Sequence, residues 1–144
     1  MSTPLPATEE DIDIFLAAFE DGTLPKERWT HAAHLLGGAC YVYQLGAEAA
    51  LNHMRICVPR YNIAVGGENT FDSGYHETVT IFWIKLLAAF LAEQQPVTRA
   101  EFAARAVAHF ASPWDVYGRY YSYNVIRNTE ARAHWRAPDL LPLP

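Results

Sequence analysis

Apolar residues at the spacing of an α-helix recur in every long segment of this chain, and polar capping residues separate the segments. The first example is Ile12, Phe15, Leu16 and Phe19, at positions i, i+3, i+4 and i+7. Thr8 and Asp11 precede this run in the pattern of a capping box, and Gly22 follows it as a stop signal. This spacing predicts an amphipathic helix over residues 9–21.

The same signals predict four further long helices. Thr30 is positioned to cap a second helix that ends at Gly46, and a third starts at Ala47 and is kinked or ended by Pro59. We expect a fourth over 75–94, a fifth from Pro96 or Thr98 to a point before Ser112, and short helical pieces over 114–123 and 129–135. The fourth is apolar on nearly all sides and should be central. The fold class expected for residues 1–144 is therefore all-α: one single-domain helical bundle of about five main helices plus short C-terminal helices.

Composition and charge exclude several classes of partner. The formal net charge is −5, and no basic patch suggests binding to nucleic acid. The most apolar stretch, residues 79–92, is shorter than the roughly 20 residues of a membrane span. The first residues lack the features of a secretory signal, so we expect a cytoplasmic protein.

Cys40 and Cys57 lie in apolar helical surroundings and are expected to be reduced. A homodimer formed through an apolar helix face is a further expectation.

Two histidine motifs are the strongest indication of function. His31 and His34 lie three residues apart at the start of the predicted second helix, so their side chains differ by roughly 60° around its axis. His76 lies near the start of the fourth helix. Three imidazoles that leave one or two coordination positions open are typical of catalytic metal sites. The pattern predicts a divalent metal ion, Zn, Fe or Cu, held by His31, His34 and His76.

Other residues are candidates for supporting roles at that site. Glu77 is a candidate general base, fourth ligand, or partner that orients an imidazole, and Tyr121 is a candidate catalytic phenol. A glycine-rich loop over 61–73 leads to His76 and is expected to form the rim of the site. Gly37 and Gly38 interrupt the second helix, which suggests that another helix or a ligand approaches closely there.

The two histidine motifs also resemble those of a protein family. The motif Trp29-Thr30-His31-x-x-His34-Leu35 and the motif Gly74-Tyr75-His76-Glu77-Thr78, with Tyr121-Ser122 and Glu130-Ala131-Arg132, resemble those of an uncharacterised all-helical bacterial family. The resemblance spans nearly the whole chain. It implies an all-helical fold with a site at the two histidine motifs, and it implies no particular reaction. The architecture is loosely similar to metal-binding bundles of the DinB kind, in which the histidine pair is spaced i, i+4 and falls later in the chain.

Three functions follow as expectations. The first is a metal-dependent enzyme that uses metal-bound water for hydrolysis or proton transfer on a small molecule. The second is an oxidoreductase that holds Fe or Cu with the same ligands. The third is a non-catalytic protein that binds a small molecule in an apolar cavity lined by Trp and Tyr.

Overall fold

Helices dominate the computed structural model, which describes residues 4–94 and 97–144. The α-helices of this part of the chain are α1 Glu9–Asp21, α2 His31–Leu45, α3 Ala47–Ala64, α4 Glu77–Glu93, α5 Arg99–His109, α6 Pro113–Tyr120 and α7 Thr129–Ala133. Short 3-10 turns occupy Lys26–Arg28 and Val125–Arg127. The described residues form no named strand, so the predicted all-α fold class is confirmed. Pro96, predicted as one possible start of α5, lies outside the described residues.

Threonine side chains cap three of the helices at the predicted places. The hydroxyl oxygens of Thr8, Thr30 and Thr98 each accept a hydrogen bond from a backbone N–H three residues later, at 3.1, 3.2 and 3.1 Å. Such a bond satisfies one of the N–H groups that the first turn of a helix leaves unpaired. Gly22 ends α1 with a φ of 79°, a left-handed conformation that glycine adopts without steric cost.

Two helix boundaries differ from those expected, and both change the loop beside the histidine motif. Of the two effects predicted for Pro59, an end of the helix is wrong, because α3 continues to Ala64, and a kink stays a prediction. The continuation is supported by Tyr61, which is 1% exposed and donates a hydrogen bond from its hydroxyl to the Leu24 carbonyl at 2.8 Å. At the other end, α4 begins at Glu77, and His76 is its N-cap. The irregular segment therefore spans residues 65–76 instead of 61–73.

The bundle is organised around α2 and α4. Helix α2 contacts α3, α4 and α5, and α4 also contacts α3, α5 and α7, so the predicted central position of α4 is confirmed. Gly38 permits the close approach of α4 to α2, because a Cβ atom at this position would lie 2.9 Å from Cδ1 of Leu87. The predicted role of this glycine in helix packing is therefore confirmed.

The two cysteines have the state expected from the sequence. Cys40 and Cys57 are both free and buried.

Within residues 4–94 and 97–144, we find no helix that combines the length and the apolar character needed to cross a membrane.

Candidate functional site

A cavity of about 420 Å³ lies between α2, α3, α4 and the 65–76 segment, and we call it the central cavity. Its apolar wall consists of Leu35, Met54, Val58, Val79, Ile84 and Leu87, and its aromatic wall of Trp29, Tyr75, Trp83 and Tyr117. His31, His34 and His76 all line it as well. No Asp, Glu, Lys or Arg is among the described residues of the lining. Asn62 and Thr80 complete the polar part of the lining, so the cavity is mostly apolar and aromatic, with imidazole, amide and hydroxyl groups among its walls.

His34 presents an imidazole nitrogen that no described residue satisfies. Its Nδ1 lies 2.7 Å from the carbonyl oxygen of Thr30, and since a carbonyl only accepts hydrogen bonds, Nδ1 carries the proton. In the neutral ring, Nε2 then keeps its lone pair. The ring packs on Trp29 with a centroid separation of 4.1 Å, which fixes its orientation.

His31 is also incompletely satisfied. Its Nε2 is fully buried and has no hydrogen-bond partner among the described residues. The ring packs against Trp83 at a centroid distance of 5.3 Å. The indole Nε1 of Trp29 is likewise buried without a partner in the described part of the chain. Buried polar groups are normally hydrogen-bonded in native proteins, so these two nitrogens are exceptions; other atoms cover both of them, although their residues line the cavity.

Both imidazoles of α2 are neutral at physiological pH. Burial lowers the pKa of His31, and a weaker backbone interaction with Phe110 opposes this effect. Desolvation by the surrounding protein also lowers the pKa of His34, to about 4, although the residue keeps an exposed surface. The Thr30 carbonyl opposes the shift and the nearby His31 adds to it. Each ring therefore contributes one hydrogen-bond acceptor.

His76 lines the same cavity but has a different role. Its Nδ1 accepts a hydrogen bond from the Val79 backbone N–H at 3.2 Å, so the side chain caps α4. Its Nε2 lies 2.8 Å from the carbonyl oxygen of Val125 and therefore donates to it. Both ring nitrogens are thus occupied, and no lone pair is left for a metal ion. Burial lowers the pKa of His76, which keeps this doubly bonded ring neutral.

The structure thus brings the three predicted histidines to one cavity, but it does not arrange them as a ligand set. The described residues contain no group of three or more His, Cys, Asp or Glu side chains able to hold a metal ion. The physical reason is the N-cap position of His76, where the exposed N–H groups of the α4 first turn compete for its lone pair. Two imidazoles, His31 and His34, remain available.

Glu77 is held outside the central cavity by an ion pair. Its carboxylate accepts hydrogen bonds from Nε and Nη2 of Arg55 at 3.1 and 3.0 Å, and from the Tyr75 hydroxyl at 2.7 Å. Burial raises the pKa of Glu77, but the bonds from Arg55 and Tyr75 outweigh it and hold the pKa below its usual value. The structure places Glu77 as a link between α3 and the start of α4, and it is not among the residues that line the cavity.

Tyr121 is also placed away from the cavity. It is 3% exposed, and its hydroxyl donates to the Arg136 carbonyl at 2.7 Å, which fixes the C-terminal segment. Burial raises its pKa. The tyrosine one helical turn earlier, Tyr117, does line the cavity, and its oxygen accepts a hydrogen bond from Nε1 of Trp83 at 2.7 Å. Burial raises the pKa of Tyr117 to about 12, so its hydroxyl is neutral.

The cavity rim is built by the 65–76 segment, as predicted for the glycine-rich loop. Asn69 organises it: its amide nitrogen donates to the Pro59 carbonyl at 2.9 Å, and its amide oxygen accepts from Asn62 and from the Tyr75 backbone at 2.9 and 3.0 Å. Gly74 and Tyr75 of this segment line the cavity. The guanidinium of Arg132 donates to the Gly74 carbonyl at 2.6 Å and so ties the C-terminal part of the chain to the rim.

Trp29 and Tyr117 are the cavity residues that sequence reasoning missed. Trp29 directly precedes the Thr30 cap, and this position was a signal that its indole would pack over the first turn of α2. Tyr117 had no such local signal, because it reaches the cavity only through the packing of α6 on α4. Comparisons of the chain with protein families, with characterised proteins and with solved structures gave no match.

Proposed function

We propose that this protein binds a small, largely apolar molecule in the central cavity. The observation that carries the proposal is the cavity of about 420 Å³, whose described lining is mostly apolar and aromatic and includes three histidines but no Asp, Glu, Lys or Arg. Small-molecule sites typically have volumes of about 300–1,000 Å³, with mostly apolar walls and a few polar groups that set orientation. This corresponds to the third function expected from the sequence.

The polar residues of the lining support a ligand-binding role over simple packing. Asn62, Thr80 and the phenols Tyr75 and Tyr117 line the cavity together with the histidines. A few polar groups among apolar walls are what a small-molecule site uses to orient its ligand. The aromatic rings around the cavity add flat contact surfaces for an apolar body.

A metal-dependent enzyme is the second candidate, and one observation favours it. His34 donates from Nδ1 to a backbone carbonyl, which is the arrangement that orients many metal-ligating histidines and leaves Nε2 for the metal. In this candidate, His31 and His34 hold the ion, and substrate and water complete its coordination. The ion would activate water for hydrolysis or proton transfer, or support oxidation if it were Fe or Cu.

The test of binding uses the tryptophans as built-in reporters. Trp29 and Trp83 line the cavity, whereas Trp114 and Trp135 do not. On titration with indole or toluene, the indole N–H resonances of Trp29 and Trp83 should shift in ¹H–¹⁵N spectra while those of Trp114 and Trp135 stay in place. Equal or absent shifts at all four positions would overturn the proposal.

A cavity-filling variant supplies the matched control. Val79→Phe places a larger side chain into the lining and should abolish the shifts. Val107→Phe makes the same change on α5 at a half-buried position outside the lining and should preserve them. Retention of binding by Val79→Phe would show that the probe occupies another place.

Elemental analysis of protein prepared without a polyhistidine tag separates the two candidates. Stoichiometric Zn, Fe or Cu that is lost in both His31→Ala and His34→Ala, but retained in His109→Ala, would favour the metal-dependent enzyme. Binding of the apolar probes by protein that retains no metal favours the binding function.

A further inference from the structure

We infer that Arg132 is a positioning residue of the central cavity, whose guanidinium holds the rim residues Gly74 and Tyr75 in the conformation that binds a ligand. Arg132 ends the Glu130-Ala131-Arg132 motif of the sequence. This role rests on the proposed binding function, and it belongs to a residue outside the lining.

The guanidinium of Arg132 joins the rim of the cavity to the 3-10 turn that precedes α7. Its Nη1 donates to the Gly74 carbonyl at 2.6 Å and to the Tyr75 carbonyl at 3.4 Å, and its Nη2 donates to the Ile126 carbonyl at 3.2 Å. The side chain is half-buried and forms no ion pair with the described residues. Its donors are therefore directed at backbone oxygens of two separate segments.

The peptide group between Gly74 and Tyr75 depends on this side chain for its orientation. Among the described residues, its carbonyl, that of Gly74, accepts a hydrogen bond from Arg132 alone. Its N–H, that of Tyr75, donates to the amide oxygen of Asn69 at 3.0 Å. A peptide group is planar, so two bonds on opposite sides fix its plane, whereas one bond leaves it free to rotate. Since Gly74 and Tyr75 line the cavity, this plane is part of the cavity wall.

The position of Arg132 is in turn fixed by the packing of α7. The Asn128 side chain caps this helix and accepts a hydrogen bond from the Ala131 backbone N–H at 2.8 Å. Ala131 is fully buried, and α7 contacts α4, which follows the rim in the chain. A helix of five residues is not stable alone, so these contacts place Arg132 beside the rim.

Three acceptors in two segments require a planar set of donors. A guanidinium presents five N–H donors in a fixed fork, whereas the ammonium of a lysine is a point charge on a flexible stem. A lysine at position 132 can bond one carbonyl but does not present the fork that joins Gly74 to Ile126. We therefore expect Arg132→Lys to resemble Arg132→Ala more than the wild type.

Arg132 also acts on the lining through its charge. Burial lowers the pKa of His76, the Val125 carbonyl opposes this effect, and the positive charge of Arg132 adds to the lowering. The neutral ring can then accept a hydrogen bond at Nδ1 from the Val79 backbone N–H, as it does in the structure. The same guanidinium thus supports two parts of the cavity wall.

Indole titrations of Arg132 variants test the role. The indole affinity of the full-length, ¹⁵N-labelled protein is measured at pH 6.5 from the shifts of the Trp29 and Trp83 indole N–H resonances. We expect Arg132→Ala and Arg132→Lys to bind indole about fivefold or more weakly than the wild type, because a wall that is not pre-organised must be ordered on binding.

Tyr121→Phe is the matched control for a general loss of stability. It removes the hydroxyl that binds the Arg136 carbonyl at 2.7 Å, a contact within the same C-terminal part of the chain but outside the lining. Urea denaturation measures the loss of stability in each variant. Tyr121→Phe should keep an indole affinity within about twofold of the wild type, even where it is as destabilised as Arg132→Ala.

A measurement on the unmodified protein keeps the test decisive even if a variant fails to fold. On titration with indole, the side-chain Nε–H resonance of Arg132 should shift, because its guanidinium bonds the cavity wall. The Nε–H of Arg99, which donates to Glu9 at 2.7 Å on another face of the bundle, should stay in place.

The outcomes separate this role from the function on which it rests. A wild-type affinity in Arg132→Ala, an equal loss in Tyr121→Phe, or an unmoved Arg132 resonance overturns the role and leaves small-molecule binding intact. Full affinity in Arg132→Lys also overturns it, because a point charge would then be sufficient. Failure of indole and toluene to bind the unmodified protein overturns the binding function, and the role of Arg132 with it.

Discussion

Replacement of His76 separates its structural role from the metal-binding role predicted by the sequence. In His76→Ala, α4 loses its N-cap, which typically costs about 0.5–2 kcal/mol. The carbonyl of Val125 also loses the imidazole as a donor but keeps the Asn128 backbone N–H at 3.3 Å, so this loss is the net value of one hydrogen bond, about 0.5–1.5 kcal/mol. Together these changes should lower the free energy of unfolding by about 1–3 kcal/mol.

Urea denaturation followed by far-ultraviolet circular dichroism measures this loss. His76→Asn is the informative partner variant, because its shorter side chain can still cap α4 but does not reach Val125, so it should recover about 1 kcal/mol of the loss. His109→Ala, which removes an exposed ring stacked on Phe90 at a centroid distance of 4.5 Å, should change stability by no more than about 1 kcal/mol. A loss in His76→Ala as small as that in His109→Ala would refute the reasoning. So would a wild-type metal content that disappears only when His76 is replaced.

Three further predictions concern the rim, the ion pair and the pH dependence. Gly74→Ala should destabilise the protein by more than about 2 kcal/mol in urea denaturation, because φ is 81° and the new Cβ would lie 2.1 Å from the Glu68 carbonyl oxygen. A fully stable variant would contradict this. A double-mutant cycle between Arg55→Ala and Glu77→Gln should give a coupling of about 1 kcal/mol or less in the free energy of unfolding, because the ion pair is partly exposed. If Glu77 is catalytic instead, Glu77→Gln should affect activity more than stability. Lastly, the pKa of His34 is lowered from 6.5 to about 4 in the folded protein. Between pH 6.5 and about 4 the unfolded chain therefore binds more protons than the folded one, so stability should fall as the pH drops through this range. His34→Phe should make that dependence shallower, and an unchanged slope would argue against the shift.

Local signals made most of the fold predictable. The Thr8, Thr30 and Thr98 caps and the Gly22 stop act within a few residues, so the sequence pattern identifies them directly. The predicted end of α3 at Pro59 was wrong because the loss of one helical hydrogen bond is local, whereas the packing of Tyr61 against distant residues is not.

The candidate site was predictable only in part. Placing His31 and His34 on one helix end required only the helical period, and both do line the central cavity. The environment of Glu77 depends on Arg55, which is distant in the sequence, so its ion pair could not be read from the motif. The same holds for Tyr121, whose hydroxyl binds the Arg136 carbonyl.

The sequence by itself determined the helical class, most helix ends, and the clustering of imidazoles near two helix starts, because capping and periodicity are short-range properties of the chain. Only the tertiary structure decided which of those imidazoles keep a free lone pair. His76 uses both ring nitrogens because the Val79 N–H and the Val125 carbonyl meet it in the folded chain. His34 instead donates from one nitrogen to the Thr30 carbonyl, and its other nitrogen has no partner among the described residues. Hydrogen bonds between distant segments thus determine whether a histidine holds the fold together or remains available to a ligand.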